Sequence, residues 1–435
     1  MNKHRCSLWI RHSAQLSKLH GSVIHAPLRR TFIGERCDVV SDPHQPATRF
    51  CQAQTIGFNQ QDAILSILGN TQDIPRGAWV VPSGRRAMPQ LPEDALGTAI
   101  DGEGCVIARL APPNYRLARN DSLDLDAAPP ALARRRRIAH VFETGVRAID
   151  GLLTCGIGQR MGIFAGAGGG KTTLMSMLIA HAKADVYVVA LVGERGREAS
   201  GFIDHGIPED KRAQTILVCS TSDRPAAERR NAAHLATAIA ERYRDAGLNV
   251  LLIVDSITRY ARALRDIALS AGEPPARRGF PASVFDALPA LLERPGALDQ
   301  GAITAFYTVL LEDEDLGDPI GEEVRSILDG HIYLSRKLAE RGHYPAIDTL
   351  KSVSRVMTQI VDAQHHGAAS GLRSKLAKLA DLQLALDLGE YQSGQDAEVD
   401  ALLEARLEID AWLMQSIDDY VTFGSTLEGL HALTG

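Results

Sequence analysis

Hydrophobic positions along this chain fall into three regimes. Over residues 21–95, short apolar runs alternate with Gly, Pro and Asp: VIHAPL at 23–28, FIGERCDVV at 32–40, QAQTIGF at 52–58, AILSIL at 63–68 and AWVVP at 78–82. Runs of that length, broken by turn residues, predict a small all-β barrel. From about residue 140 the runs are longer and lie between helix-length segments, with strands expected at 160–164, 185–192, 215–220, 249–255, 301–309 and 330–334. Near-continuous apolar runs suit strands covered on both faces, so this part predicts an α/β fold with a parallel, helix-covered sheet. Beyond about 356 the chain turns rich in Leu and Ala. Leu372, Leu376 and Leu379 recur at helical spacing, as do Val399, Leu402 and Leu403, predicting an antiparallel helical pair over 371–388 and 396–415 that forms a small helical domain. The expected division is an N-terminal arm (1–20), a barrel (21–95), an α/β domain (96–356) and a C-terminal helical domain (357–435).

The run RMGIF at 160–164 leads into AGAGGGKTT at 165–173, and then into the helix-like TLMSMLIAHA. Strand, glycine loop and helix in that order make a phosphate-binding loop. Gly166 and Ala167 enter the turn. Gly168, Gly169 and Gly170 let successive amides face the β- and γ-phosphates without Cβ interference, and the helix N-terminus adds partial positive charge. Lys171 reaches the phosphates as a point charge, the Thr172 hydroxyl is placed to ligate Mg²⁺, and Thr173 pads the first turn. Ala165 stands where the usual pattern begins with Gly. The chain is therefore expected to bind a nucleoside triphosphate, ATP, together with Mg²⁺.

Hydrolysis further requires a group that positions water. The run DVYVVALV at 185–192 delivers GERGRE, placing Glu194 and Arg195 at the carboxyl end of a strand, where open α/β sheets bind ligands. Glu194 is the expected water-orienting carboxylate. A second buried run, NVLLIVDS, ends in Asp255, the expected acid that holds Mg²⁺, and Arg259 follows one helical turn later.

Composition removes competing classes. Lys and Arg number 47 against 53 Asp and Glu, a formal charge of −6, so no global electrostatic footprint argues for nucleic acid. Six cysteines without C-x-x-C spacing fit a reducing cytosol, and the His365-His366 pair reads as solvated loop rather than a metal site. No apolar stretch is long enough to span a membrane, and residues 1–20, with Lys3, Arg5, Arg11 and Lys18, lack the core of a secretory signal. The run Arg134–Arg137 reads as a solvated linker, and Arg277 and Arg278 in EPPARRGFP as exposed loop charge or a subunit contact.

The stretches GVRAIDGLLTCGIGQRMGIFAGAGGGKTTLM, GERGREASGFI, DSITRYARALRDIAL, PPARRGFPASVFDALPALLERPG, RSILDGHIYLSR and GHYPAIDTLKSVSR closely resemble the type III secretion system ATPases, on the injectisome side of that family. The family is related to the flagellar export ATPase and to the catalytic subunit of rotary ATP synthases. The resemblance implies a homohexameric ring of RecA-like domains with active sites between subunits. By the same resemblance Lys171 and Thr172 bind phosphate and magnesium, Glu194 is the catalytic carboxylate and Arg195 supports it. Asp255 and Arg259 match the family's magnesium acid and its nearby arginine. Arg355, in SVSR, matches the arginine finger that a neighbouring subunit supplies, and Tyr344, in HYPAID, matches an aromatic that stacks on adenine. Family members commonly carry Gln-Pro near the end of the adenine pocket, where this chain has Gln415-Ser416.

Implied partners are a coiled-coil central stalk, a stator-like regulator, chaperone–effector complexes and the export gate, with the protein cytoplasmic at the inner face of the membrane. Hydrolysis is expected to release export substrates from their chaperones and to promote their unfolding. Four alternatives can be weighed against the sequence. A non-catalytic nucleotide-binding subunit would lack Glu194, and an RNA translocase would need a basic, aromatic barrel that residues 21–95 do not supply. A flagellar-type ATPase or a rotary synthase catalytic subunit shares the same motifs.

Overall fold

Two neighbouring amides close the N-terminal sheet on itself. The computed structural model describes residues 12–45, 48–69, 73–86, 88–89, 91, 95–112, 123–311, 317–392 and 394–434. Seven strands, β1 (Ala14–Gln15), β2 (Lys18–His20), β3 (Val23–Ala26), β4 (Glu35–Val40), β5 (Arg49–Phe58), β6 (Ala63–Leu68) and β7 (Trp79–Arg86), pair antiparallel in the order β1-β7-β4-β5-β6-β3-β2. The outermost strands β1 and β2 are consecutive in the chain. Leu16 N–H donates to Ala78 O at 3.0 Å while Ser17 N–H donates to His25 O at 2.7 Å, so adjacent residues fasten opposite ends of the sheet. Leu16, Ile24, Val39, Ala53, Leu65, Ile67 and Val80 fill the interior.

Both β1 and β2 lie inside the stretch 1–20 expected to be an arm. They are two and three residues long and carry few apolar side chains, so sequence pattern has little to grip. Residues 1–11, with Lys3, Arg5 and Arg11, lie outside the described residues.

The second sheet is built from β8 (Thr98–Ile100), β9 (Val106–Arg109), β10 (Arg160–Ala165), β11 (Val186–Glu194), β12 (Thr215–Thr221), β13 (Asn249–Asp255), β14 (Gly296–Ala297), β15 (Ala302–Leu310), β16 (Gly330–Leu334) and β17 (Ile347–Ser354). Strands β16-β10-β15-β13-β11-β12-β8 run parallel. Antiparallel pairs finish it at the margins: β17 on β16, β9 on β8, and β14 on β15.

Alternation along each strand sends side chains to two cores. Val188, Ala190 and Val192 of β11 pack beneath the helices Ala226–Asp245, Ile257–Ser270 and Ala282–Leu292. Tyr187, Val189 and Leu191 face the helix Lys171–His181 on the other side. The C-terminal helices Ala363–Asp387, Ala397–Leu413 and Phe423–Ala432 join this second core, with Leu372, Leu379, Ile409, Leu413 and Leu430 in the same apolar cluster as Leu174, Met175 and Leu178. Their apolar stripes therefore cover the layer that contains the helix Lys171–His181 instead of closing a separate core.

Polar staples tie the layers together. Arg135 binds the Glu293 carboxylate at 2.8 Å and its carbonyl at 2.8 Å, and Arg136 pairs with Asp299, so half of the basic run is engaged with the α/β domain. His365, expected in a loop, lies in a helix with only 2% of its surface exposed, its Nε2 bonded to Gly151 O at 2.8 Å. Arg277 pairs with Glu322 at 2.7 Å, and Arg278 stays exposed at φ +48°.

Candidate active site

The phosphate-binding loop occupies the carboxyl end of β10 and runs straight into the helix Lys171–His181. Gly168 and Gly170 adopt φ of +79° and +83°, which side chains other than glycine resist, and Gly170 caps the helix in the left-handed conformation. A Cβ on Gly170 would stand 3.1 Å from Cε1 of Tyr344, so the tyrosine ring abuts the loop itself. The floor of the cavity beside it is charged. Lys171 Nζ donates to Asp255 Oδ1 at 2.6 Å and to Glu194 Oε1 at 3.3 Å.

A bulge at the end of β11 aims Glu194. The β11–β12 register shifts between Val192 and Glu194, and the intervening Gly193 takes φ +68° with Arg259 Cβ and Cδ only 3.3 Å from where its Cβ would be. The side chain is 6% exposed and meets Arg259 Nη1 at 2.7 Å through Oε2. Burial pushes the Glu194 carboxyl above its ordinary range; Lys171 and Arg259 pull it down, while the neighbouring Glu198 pushes it up. Arg259 also donates to Gly193 O. Its helix begins at Ser256, whose hydroxyl accepts from Arg259 N–H, so the turn after β13 fixes both Asp255 and Arg259.

Thr308 of β15 donates to Asp255 Oδ1 at 2.6 Å. Sequence reading missed it, because the contact spans two neighbouring strands far apart in the chain. The only available signal was a hydroxyl near the carboxyl end of a strand expected beside Asp255. Reading also missed Glu198, Phe202, His205 and Arg262, which line the cavity with the loop, and Arg336 and Lys337, which line it from the helix Arg336–Glu340. Together these residues enclose about 1300 Å³.

Two expected residues stand apart from this cluster. Arg195 lines the cavity, but its side chain is 78% exposed and pairs with Glu198 at 3.4 Å, leaving Arg259 as the guanidinium on Glu194. Arg355 lies at the opposite rim of the sheet. It follows Ser354, which pairs with Gly330 at the start of β16, whereas the phosphate loop follows Ala165, which pairs with Leu334 at the end of β16. That interval is about 13 Å along the strand. Arg355 is exposed and touches Arg325 O at 3.4 Å. Gln415 turns away from the cavity, buried at 4% exposure, with every polar side-chain atom bonded to main chain.

Residues 145–354 match the ATP synthase alpha/beta family nucleotide-binding domain, and residues 361–432 match the type III secretion EscN ATPase C-terminal domain. The chain is 49% identical to the SPI-1 type 3 secretion system ATPase of Salmonella typhi, over 97% of each protein. It belongs to the type III secretion system ATPase family. This secretion ATPase is an ATP hydrolase with the RecA-like α/β fold, preceded by a barrel and followed by helices. Its backbone superposes on the assembled ATPase EscN of enteropathogenic E. coli with a TM-score of 0.88, at 43% identity, covering 97% of this chain and 100% of the other. The flagellum-specific ATP synthase of Treponema pallidum is more distant, at 39% identity over 98% of this chain and 94% of its own length.

The secretion ATPase's own residues fit a nucleotide. Successive main-chain amides without Cβ obstruction, a lysine amine and a helix N-terminus converge on one open cavity, which is what a polyphosphate needs. They fit Mg²⁺ as well: the Thr172 hydroxyl and the Asp255 carboxylate line the same cavity, and this ion takes one or two protein oxygens with phosphate oxygens completing its shell.

Proposed function

We propose that this ATPase hydrolyses Mg·ATP at the junction of two identical protomers, Arg355 of one completing the phosphate site of the next. The observation that carries the reading is the placement of Arg355 and the phosphate loop at opposite rims of one sheet, too far apart for one chain to use both on the same nucleotide. A closed ring of like subunits supplies the missing half from a neighbour. EscN, which this chain resembles, is assembled in one solved structure and bound to its central stalk EscO in another. That supports a homohexamer around a coiled-coil stalk.

In this reading Gly166, Ala167, Gly168, Gly169 and Gly170 cradle the β- and γ-phosphates, Lys171 neutralises them, and Thr173 completes the first turn. Thr172 and Asp255 hold Mg²⁺, which when bound supplies positive charge to the transferring phosphoryl group. Glu194 orients the attacking water, kept in place by Arg259 and flanked by Arg195. Tyr344 stacks on the base. Little covalent chemistry falls to the protein; positioning and charge stabilisation do the catalysis.

The resemblance extends the reading to biology. Hydrolysis would release export substrates from chaperone–effector complexes and promote their unfolding, at the cytoplasmic face of the inner membrane, beside a stator-like regulator and the export gate. Among the described residues no helix is long and apolar enough to cross a membrane. The test is specific ATPase activity against protein concentration for wild type, Glu194→Gln and Arg355→Ala. Wild type should activate steeply with concentration and both variants should sit near background, since a finger in trans is worth about 10³- to 10⁵-fold. Full activity in Arg355→Ala, or a wild-type rate independent of concentration, overturns the shared site.

A further inference from the structure

One buried residue joins the segment after the C-terminal helix Ala397–Leu413 to the loop at Gly145 and to the main chain of Tyr344 at the nucleotide site. Gln415 follows the helix Ala397–Leu413 and is 4% exposed. Its Nε2 donates to Gly145 O at 2.7 Å and to Asp419 O at 2.7 Å, and its Oε1 accepts from Arg147 N–H at 2.9 Å. A primary amide has two N–H donors and an acceptor oxygen, and here all are used on main chain. The same residue's own N–H donates to Tyr344 O at 2.8 Å. Arg147 answers from the other side, its guanidinium donating to Met414 O.

The segments clamped in this way are already rigid on their far sides. Asp150, fully buried, accepts from Thr144 N–H at 2.9 Å, Thr144 Oγ1–H at 2.7 Å and Gly145 N–H at 2.9 Å, fixing the loop that Gln415 grips. Gly145 presses on the end of the phosphate-loop helix: a Cβ there would fall 2.5 Å from His181 Cβ. His181 Nε2 in turn meets Ile417 O at 2.8 Å. Segment 414–419 therefore holds the tail of the phosphate-loop helix and the main chain of Tyr344 together, and the Tyr344 ring lies against the head of that loop at Gly170.

We infer that Gln415 is a positioning residue for the base half of the nucleotide site: it sets the Tyr344 ring against the phosphate loop without itself touching nucleotide. The inference rests on the reading of Tyr344 as the base-stacking residue. Removing the amide while keeping its shape leaves Gly145 O, Asp419 O and Arg147 N–H without partners, and so loosens the main chain whose Gln415 N–H holds Tyr344 O. Phosphate binding uses glycine amides and Lys171, none of which Gln415 contacts.

Gln415→Met, Tyr344→Ala and the double variant are assayed at assembling protein concentration, with ATP as substrate and inorganic tripolyphosphate, which has no base, as competitor. Gln415→Met is expected to raise KM for ATP about five- to tenfold, the equivalent of one positioning hydrogen bond, with kcat within about twofold of wild type. The inhibition constant of tripolyphosphate stays unchanged, and in the Tyr344→Ala background Gln415→Met adds less than about twofold. Equal weakening of ATP and tripolyphosphate, or a loss confined to kcat, makes Gln415 a general prop and overturns the inference. If Tyr344→Ala raises KM while Gln415→Met does not, positioning fails and stacking stands. If Tyr344→Ala leaves KM unchanged, stacking itself fails and the inference with it. Should Gln415→Met not fold, Arg147→Ala loosens the same latch from its more accessible side; a raised KM with unchanged tripolyphosphate inhibition supports the inference and a wild-type KM overturns it.

Discussion

Arg259 Nη1 stands 2.7 Å from Oε2 of Glu194, at the bottom of the nucleotide cavity. Burial raises the Glu194 carboxyl and the two cations, Lys171 and Arg259, oppose that rise. The sign for activity follows. Below its raised value the carboxyl is protonated and cannot accept a proton from water, so kcat/KM, which reports the free enzyme, falls as pH drops through a point above the ordinary 4.5. Arg259→Ala removes a lowering influence and should move that acid limb to higher pH. A pH profile of kcat/KM for the two proteins measures it; an unmoved or lowered limb would disconnect Arg259 from Glu194.

Lys171 holds two buried carboxylates at once, Asp255 at 2.6 Å and Glu194 at 3.3 Å. Lys171→Met should weaken nucleotide binding by more than about tenfold, through loss of a charge-assisted phosphate contact. It also leaves the Glu194 and Asp255 carboxylates with Arg259, on Glu194, as their one remaining close cation among the described residues, so the variant should take up a carboxyl proton on folding at higher pH than wild type. Fluorescent-nucleotide titration and potentiometric titration give the two readouts.

Thr308 Oγ1–H donates a hydrogen bond to Asp255 Oδ1 at 2.6 Å, from the neighbouring strand β15. Thr308→Val keeps the shape and removes that bond. Mg²⁺ activation should then need about three- to tenfold more metal, with maximal rate at saturating Mg²⁺ reduced less. A Mg²⁺ titration of ATPase activity that superposes on wild type would show that Asp255 needs no such partner.

Mixing two inactive chains offers the sharpest check on the shared site. Glu194→Gln retains a good finger and a dead pocket, and Arg355→Ala the reverse. Random mixing in a ring should pair a live pocket with a live finger at about one junction in four, so activity returns to a measurable fraction of wild type. No recovery across mixing ratios, with ring formation verified by light scattering, would place both residues in the same protomer's site.

Much of the fold was legible because buried parallel strands announce themselves. Val186 to Val192 and Val250 to Val254 are unbroken apolar runs, since helices cover both faces of their sheet. Strands at margins carry no such mark: β17, IDTLKSVS, exposes Leu350 and Val353 while burying Thr349 and Ser352, and β8 spans three residues. The phosphate loop was readable because its chemistry is contiguous, glycine amides followed at once by Lys171 and Thr172. Contacts that assemble from separate strands were not. Thr308 reaches Asp255 only once β13 and β15 pair, and Arg195, adjacent to Glu194 in sequence, points to solvent because the bulge at Gly193 turns its neighbour inward. Apolar periodicity also found the C-terminal helices without revealing what they cover, since a stripe of leucines looks the same against its own partner or against another layer.

The clasp between Leu16 and Ser17 makes the barrel a hoop held by a single peptide unit. Severing that one bond would leave every strand's sequence intact and yet let β1 and β2, the two outer strands of the sheet, part from each other and offer their free edges to foreign strands. Nicked chains should clump before they lose their grip on nucleotide, because the glycine loop answers to a different sheet.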